Sequence, residues 1–160
     1  MADLTHFDQK GRAHMVDVSH KEVTTRVAKA RAELTMNPDT ILRIRQGGIK
    51  KGDVLAVAQV AAIMAVKKTS DLIPMCHPLP VTSVAVDFDF PANDRLQLEV
   101  VVQTDAKTGV EMEALTGASV GALTVYDMVK AIDRGMTINF IGLMEKSGGK
   151  SGTFVREDSE

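Results

Sequence analysis

The spacing of hydrophobic and polar positions changes in a fixed order along the chain, and each change predicts an element. From about Arg26 to Met36, the residues Ala28, Ala30, Ala32, Leu34 and Met36 alternate with Val27, Lys29, Arg31 and Glu33. This period of two predicts a half-buried strand. Asn37-Pro38 then opens a short helix, with Asn at the N-cap, Pro at the first helical position and Gly47-Gly48 closing it. A longer helix starts at Asp53, runs apolar from Val54 to Val66 and ends at Lys67-Lys68, where positive charge suits the helix dipole. Its apolar residues lie nearly all round, which predicts burial on more than one side.

Alternation returns at Val81 to Phe90, with Val84, Val86, Phe88 and Phe90 on one face. Pro91-Ala92-Asn93-Asp94 is a turn, and Leu96, Leu98, Val100 and Val102 mark the returning strand of an antiparallel hairpin. A helix follows from about Val110 to Asp133, with Glu111 and Glu113 in its first turn and Gly135 at its C-cap. Small residues Gly117, Ala118, Gly121 and Ala122 on this helix would admit another backbone at close range. Met136 to Met144 is the last strand. The order strand, helix, strand, strand, helix, strand predicts an α+β ferredoxin-like split βαβ sandwich, with an extra short helix after the first strand.

The 160 residues are 44% hydrophobic and 25% charged, with a formal net charge of −2. Such a chain suits one soluble domain that buries most of its surface without a disulfide or metal staple. Met1 to about Gly11 reads as a mobile arm, and Ser147 to Glu160 as a mobile Gly/Ser/Lys-rich tail. Cys76 is the only cysteine, which rules out an intramolecular disulfide and suits a reducing cytoplasm. The start of the chain is acidic where a signal peptide is basic and apolar. The Val54–Val66 run is shorter than the roughly 20 residues of a membrane span. Aromatic residues make up 4% of the chain, too few for base-stacking platforms, and the net charge does not favour nucleic acid.

Four segments carry candidate chemistry. Lys50-Lys51-Gly52-Asp53 places lysines beside a helix N-terminus, either a phosphate site or a solvated turn. Leu72 to Pro80 contains Pro74, Pro78 and Pro80 around Met75-Cys76-His77, a rigid loop that presents one imidazole or merely connects elements. The helix from Val110 carries Glu111, Glu113, Asp127 and Lys130. Asp127 lies between Tyr126 and Met128 in a largely apolar turn, and Lys130 is three residues on, either a proton-exchanging pair or an ordinary ion pair. Glu113 and Asp127 share one side of the helix but lie about 21 Å apart along it, so a site using both is elongated or built from two subunits. Lys146-Ser147-Gly148-Gly149-Lys150-Ser151-Gly152 imitates the end of a P-loop, yet Met144 stands where the first glycine belongs. It is either a Gly-rich flap over an anion or a disordered tail. His6, His14, His20 and His77 match no metal-ligand spacing.

At these same segments the chain resembles the cyclic pyranopterin monophosphate synthase family, the second enzyme of molybdenum cofactor biosynthesis. The resemblance runs through Leu4-Thr5-His6, His14 to Ser19, Lys51-Gly52-Asp53-Val54, Leu72 to Leu79, Thr108 to Leu115, Tyr126-Asp127-Met128 and Lys146 to Gly152. It departs from the family at Met75, where Leu is usual, at Gln59, where Arg is usual, and at Ala62, where Gly is common. The resemblance implies a homohexamer arranged as a trimer of dimers, with the site at a subunit interface. It implies a small-molecule substrate, a cyclised dihydro-GTP triphosphate, converted to cyclic pyranopterin monophosphate with loss of diphosphate. By motif it assigns catalytic roles to Asp127, Lys130 and Lys51. It assigns substrate binding to Met75, Cys76, His77, Glu111, Met112, Glu113, Lys146 and Lys150. Proton transfers without net redox change are within reach of carboxylates, an imidazole and lysines, so neither metal nor other cofactor is expected. The rival expectation is a non-catalytic ferredoxin-like module that binds a nucleotide for regulation.

Overall fold

In a computed structural model, which describes residues 6–157, nine elements follow one another. They are β1 (Thr24–Thr35), α1 (Pro38–Arg45), α2 (Val54–Lys67), α3 (Thr69–Leu72), β2 (Val81–Ala92), β3 (Arg95–Ala106), α4 (Glu111–Val129), β4 (Thr137–Ser147) and β5 (Phe154–Val155). The strands form one sheet in the order β2-β3-β1-β4-β5, and every neighbouring pair is antiparallel. Since β3 runs against both β1 and β2 and lies between them, the connection through α1, α2 and α3 skips one strand. This α+β architecture is compatible with a ferredoxin-like fold.

The alternation seen in the sequence determines which face is covered. Ala28, Ala30, Ala32 and Leu34 of β1 are fully buried and sit opposite Val102, Val100, Leu98 and Leu96 of β3. Alanines on the central strand beside larger residues on β3 leave a shallow trough, into which α4 packs. Helix α2 packs in turn on α4 and β2. Gly117 and Gly121 are the contact points: a Cβ on Gly117 would lie 2.8 Å from Val66 Cγ2 and 3.3 Å from the Ala62 carbonyl oxygen, and one on Gly121 would lie 3.1 Å from Leu98. The small residues of α4 therefore do admit a second backbone. The opposite sheet face is polar, with Lys29 3.3 Å from Glu99 and Gln97 donating to Glu33 at 3.2 Å.

Several boundaries differ from the sequence expectation for local reasons. Strand β1 begins at Thr24 and β4 continues through Ser147, because pairing with β3, β1 and β5 extends both beyond their apolar cores. Helix α4 stops at Val129 rather than Asp133, and Gly135 is not its C-cap; Lys130 holds that place, and two short turns follow. Asp53 caps α2 as expected, accepting from the Leu55 and Ala56 amides at 3.0 Å each. The Asn37 side chain makes no cap on α1. Within the expected mobile segments, Phe7 bridges Ala13 and Phe154–Val155 pairs with β4; residues 1–5 and 158–160 lie outside the described part.

Candidate active site

The first half of the site forms where β3 passes into α4. Thr108-Gly109 turns the chain, and the first helical turn then presents Glu111, Met112 and Glu113. A Cβ on Gly109 would fall on the Glu111 carboxylate, so only glycine leaves that side chain room to fold back. Across from it runs the proline-stiffened loop, and a cleft of about 350 Å³ brings together Met75, Cys76, His77, Glu111, Met112 and Glu113. His6 and Lys21 also line it. Glu113 is only 4% exposed. Burial, reinforced by the negative charge of Glu111, holds its carboxyl above the ordinary carboxylate range. Burial, together with Glu113, likewise raises the Cys76 thiol. A carboxyl held above its ordinary range, lining one cleft with an imidazole, offers a bound substrate groups that can donate and accept protons.

This cleft continues into a basic basin. Lys146 stands 3.3 Å from Glu111 and donates to Ser151 Oγ at 2.7 Å. A neighbouring cleft of about 170 Å³ is lined by Lys21, Arg26, Glu111 and Lys146. Lys150 is displaced from Lys146. It lines an open hollow of about 660 Å³ with His20, Lys21 and Arg26. The turn between β4 and β5 wraps over Arg26, which itself donates to the Lys107 carbonyl at 3.2 Å. Gly148 and Gly149 have φ of 95° and 74°, and a Cβ on either would strike the Thr25 carbonyl or the Arg26 guanidinium. Lys21 and Arg26 escape the sequence reading because neither belongs to a chemically suggestive motif; only the fold of the chain entering β1 carries them here.

The second half lies at the far end of α4. Asp127 and Lys130 form an ion pair of 2.6 Å, and Lys51 donates to the Asp127 backbone carbonyl at 2.9 Å. The hydrogen bond and charge of Lys130, helped by the charge of Lys51, lower the Asp127 carboxyl below its usual range. The same hydrogen bond raises Lys130. The expected apolar setting for Asp127 is not found. Its side chain is 62% exposed, because Tyr126 and Met128 are neighbours along the chain and point elsewhere at 100° per residue. The three residues given catalytic roles thus come together, but apart from Glu113: α4 is continuous between them, and its rise separates Glu113 from Asp127 by about 21 Å. Among the described residues no group of three or more His, Cys, Asp or Glu could hold a metal ion.

A protein-family model described as the MoaC family matches residues 15–149. The chain belongs to this family. A cyclic pyranopterin monophosphate synthase of Desulfitobacterium hafniense is 60% identical over 156 residues, spanning 98% of this chain and 96% of its own. One from Thermomicrobium roseum is 58% identical and spans 100% of this chain and 97% of its own. Another, from Dinoroseobacter shibae, is 58% identical and spans 98% of this chain and all of its own. The MoaC match takes in both ends of α4, the loop of His77 and the lysines at 51, 130 and 146. Lys150 and His6 fall outside it.

Proposed function

We propose that this chain is a cyclic pyranopterin monophosphate synthase, a lyase of molybdenum cofactor biosynthesis. It converts a 3′,8-cyclised 7,8-dihydro-GTP into cyclic pyranopterin monophosphate and releases diphosphate. Support comes from the relatives of that name, at 58–60% identity over nearly the whole chain. The observation that carries the mechanism is the division of chemistry between the two ends of one helix. Glu113, His77 and Cys76 form a cleft suited to the purine-derived rings, where opening an imidazole and closing a pyrazine require proton transfers. Lys146, with Lys21 and Arg26, borders that cleft with positive charge suited to the triphosphate. Asp127 and Lys130 hold each other in their charged forms, a carboxylate base beside an ammonium acid, and Lys51 adds a second cation.

Neither half suffices alone. We infer that a second copy supplies the missing half, with Asp127, Lys130 and Lys51 of one subunit facing the Glu113 cleft of another, in a homohexamer built as a trimer of dimers. The strand order β2-β3-β1-β4 supports counting the domain as ferredoxin-like, with α1, α3 and β5 as additions. No described helix is long and apolar enough to cross a membrane, in keeping with a cytoplasmic enzyme. The decisive experiment is diphosphate release from the cyclised substrate by the purified chain. Stoichiometric release with formation of the pterin is expected. Tight binding without turnover would instead favour a regulatory nucleotide-binding module.

A further inference from the structure

We propose that Asp133 is a positioning residue that sets the place of Lys51 against the Asp127–Lys130 pair. Asp133 is only 4% exposed, and nothing in the reaction outlined above uses it. Its Oδ2 accepts from the Asn37 amide at 2.8 Å and from Thr40 Oγ1 at 3.1 Å. Those donors are the entry to α1, where the Asn37 side chain leaves the capping role vacant. Asp133 is itself fixed to the end of α4, because its own amide donates to the Val129 carbonyl at 3.1 Å.

The covalent path closes the argument. From Thr40 the chain runs through α1, turns at Gly47-Gly48 and reaches Lys51, whose ammonium returns to the Asp127 carbonyl at 2.9 Å. A closed circuit results: α4 holds Asp133, Asp133 holds α1, α1 carries the Lys51 loop, and Lys51 comes back to α4. Ile41 and Ile44 also seat α1 on the core, but apolar contact has no direction and permits sliding, whereas two hydrogen bonds on one oxygen fix a register. For stability alone a buried carboxylate is a poor choice, since its desolvation offsets much of what its bonds contribute.

The inference rests on the assignment of Lys51 to the site, and the test separates the two. Asp133→Ala should lower kcat on the order of 10-fold to 10²-fold with little change in KM, as expected when a catalytic group is displaced rather than removed. Asp133→Asn keeps a carbonyl oxygen that can accept both bonds, so it should restore kcat to near the parent value. The critical measurement is a double-mutant cycle with Lys51→Arg in single-turnover mode. Once Lys51 is altered, Asp133→Ala should cause little further loss. Losses that multiply, or a full parental kcat in Asp133→Ala, overturn the proposal. A parental rate in Lys51→Arg and Lys51→Ala would refute the role of Lys51 itself. Should Asp133→Ala fail to fold, Thr40→Val removes one of the two bonds at nearly constant volume, and the same cycle decides.

Discussion

Lys51 reaches the backbone carbonyl of Asp127 at 2.9 Å while the Asp127 carboxylate is bound by Lys130 at 2.6 Å. One aspartate thus fixes two lysines through different atoms. Replacing its carboxylate disturbs only one of them directly.

Asp127→Asn should therefore retain the Lys51 contact and the fold, with an unfolding midpoint near that of the parent, because the Asp127–Lys130 pair is exposed. Turnover is expected to fall on the order of 10²-fold to 10⁴-fold, the range for loss of a proton-transfer group. Diphosphate release within a few-fold of the parent would remove Asp127 from the mechanism.

Glu113 gives a pH signature of definite sign. Its folded-state carboxyl lies above the ordinary value of 4.5 through burial and the charge of Glu111. Between those two values the folded chain binds more protons than the unfolded one, so stability falls as pH rises through that window and stays lower above it. Glu113→Gln should flatten this dependence, raise the unfolding midpoint at neutral pH and reduce turnover. Thermal unfolding across pH, run beside the activity assay, checks all three; a midpoint that drops at neutral pH would contradict the assigned direction.

Mixing tests the shared site. Glu113→Ala and Asp127→Asn chains, each inactive alone, should complement when unfolded together and reassembled. With random pairing across a two-fold interface, about half the dimers are mixed, each with one intact site, so roughly 25% of parental activity should return. Background activity, with mixed oligomers confirmed by mass, would place Glu113 and Asp127 in tasks within one chain.

Cutting the chain after Ser147 removes the glycine turn and β5 but leaves the core strands. Substrate affinity should weaken more than stability, because these residues border the basic basin and bury little. Calorimetric titration and circular dichroism distinguish the cases: lost secondary structure would make the segment a structural element.

Period-two alternation made β1, β2 and β3 legible, because one sheet face is buried and the other polar. The run from Val54 to Val66 likewise announced a helix, but the burial all round that its apolar pattern predicts is not found: α2 packs on α4 and β2 and leaves Val57, Val60 and Met64 exposed. What escaped depends on distant partners. Four-residue α3 is too short for a period, and β5 exists through pairing with Glu145 and Lys146. Met75, Cys76, His77 and Glu111 to Glu113 of the Glu113 cleft lie in local motifs, whereas Lys21 reaches that cleft, and Arg26 the neighbouring basic one, only through the fold. The exposure of Asp127 was not legible from its apolar neighbours in sequence, because chain neighbours do not share a helix face.

Gly117 and Gly121 sit midway between the two reactive ends of α4, and α2, which they receive, begins directly after the Lys51 loop. The contact is placed where a fulcrum would be. A Cβ at Gly117 would wedge α2 away near Ala62 and Val66, and a rigid helix pushed at one point tilts at its far end. Lys51 would swing relative to Asp127, although neither residue nor any group facing substrate had changed. The span of the proposed site is thus governed by two positions that carry no side chain, on the stretch of helix between Glu113 and Asp127.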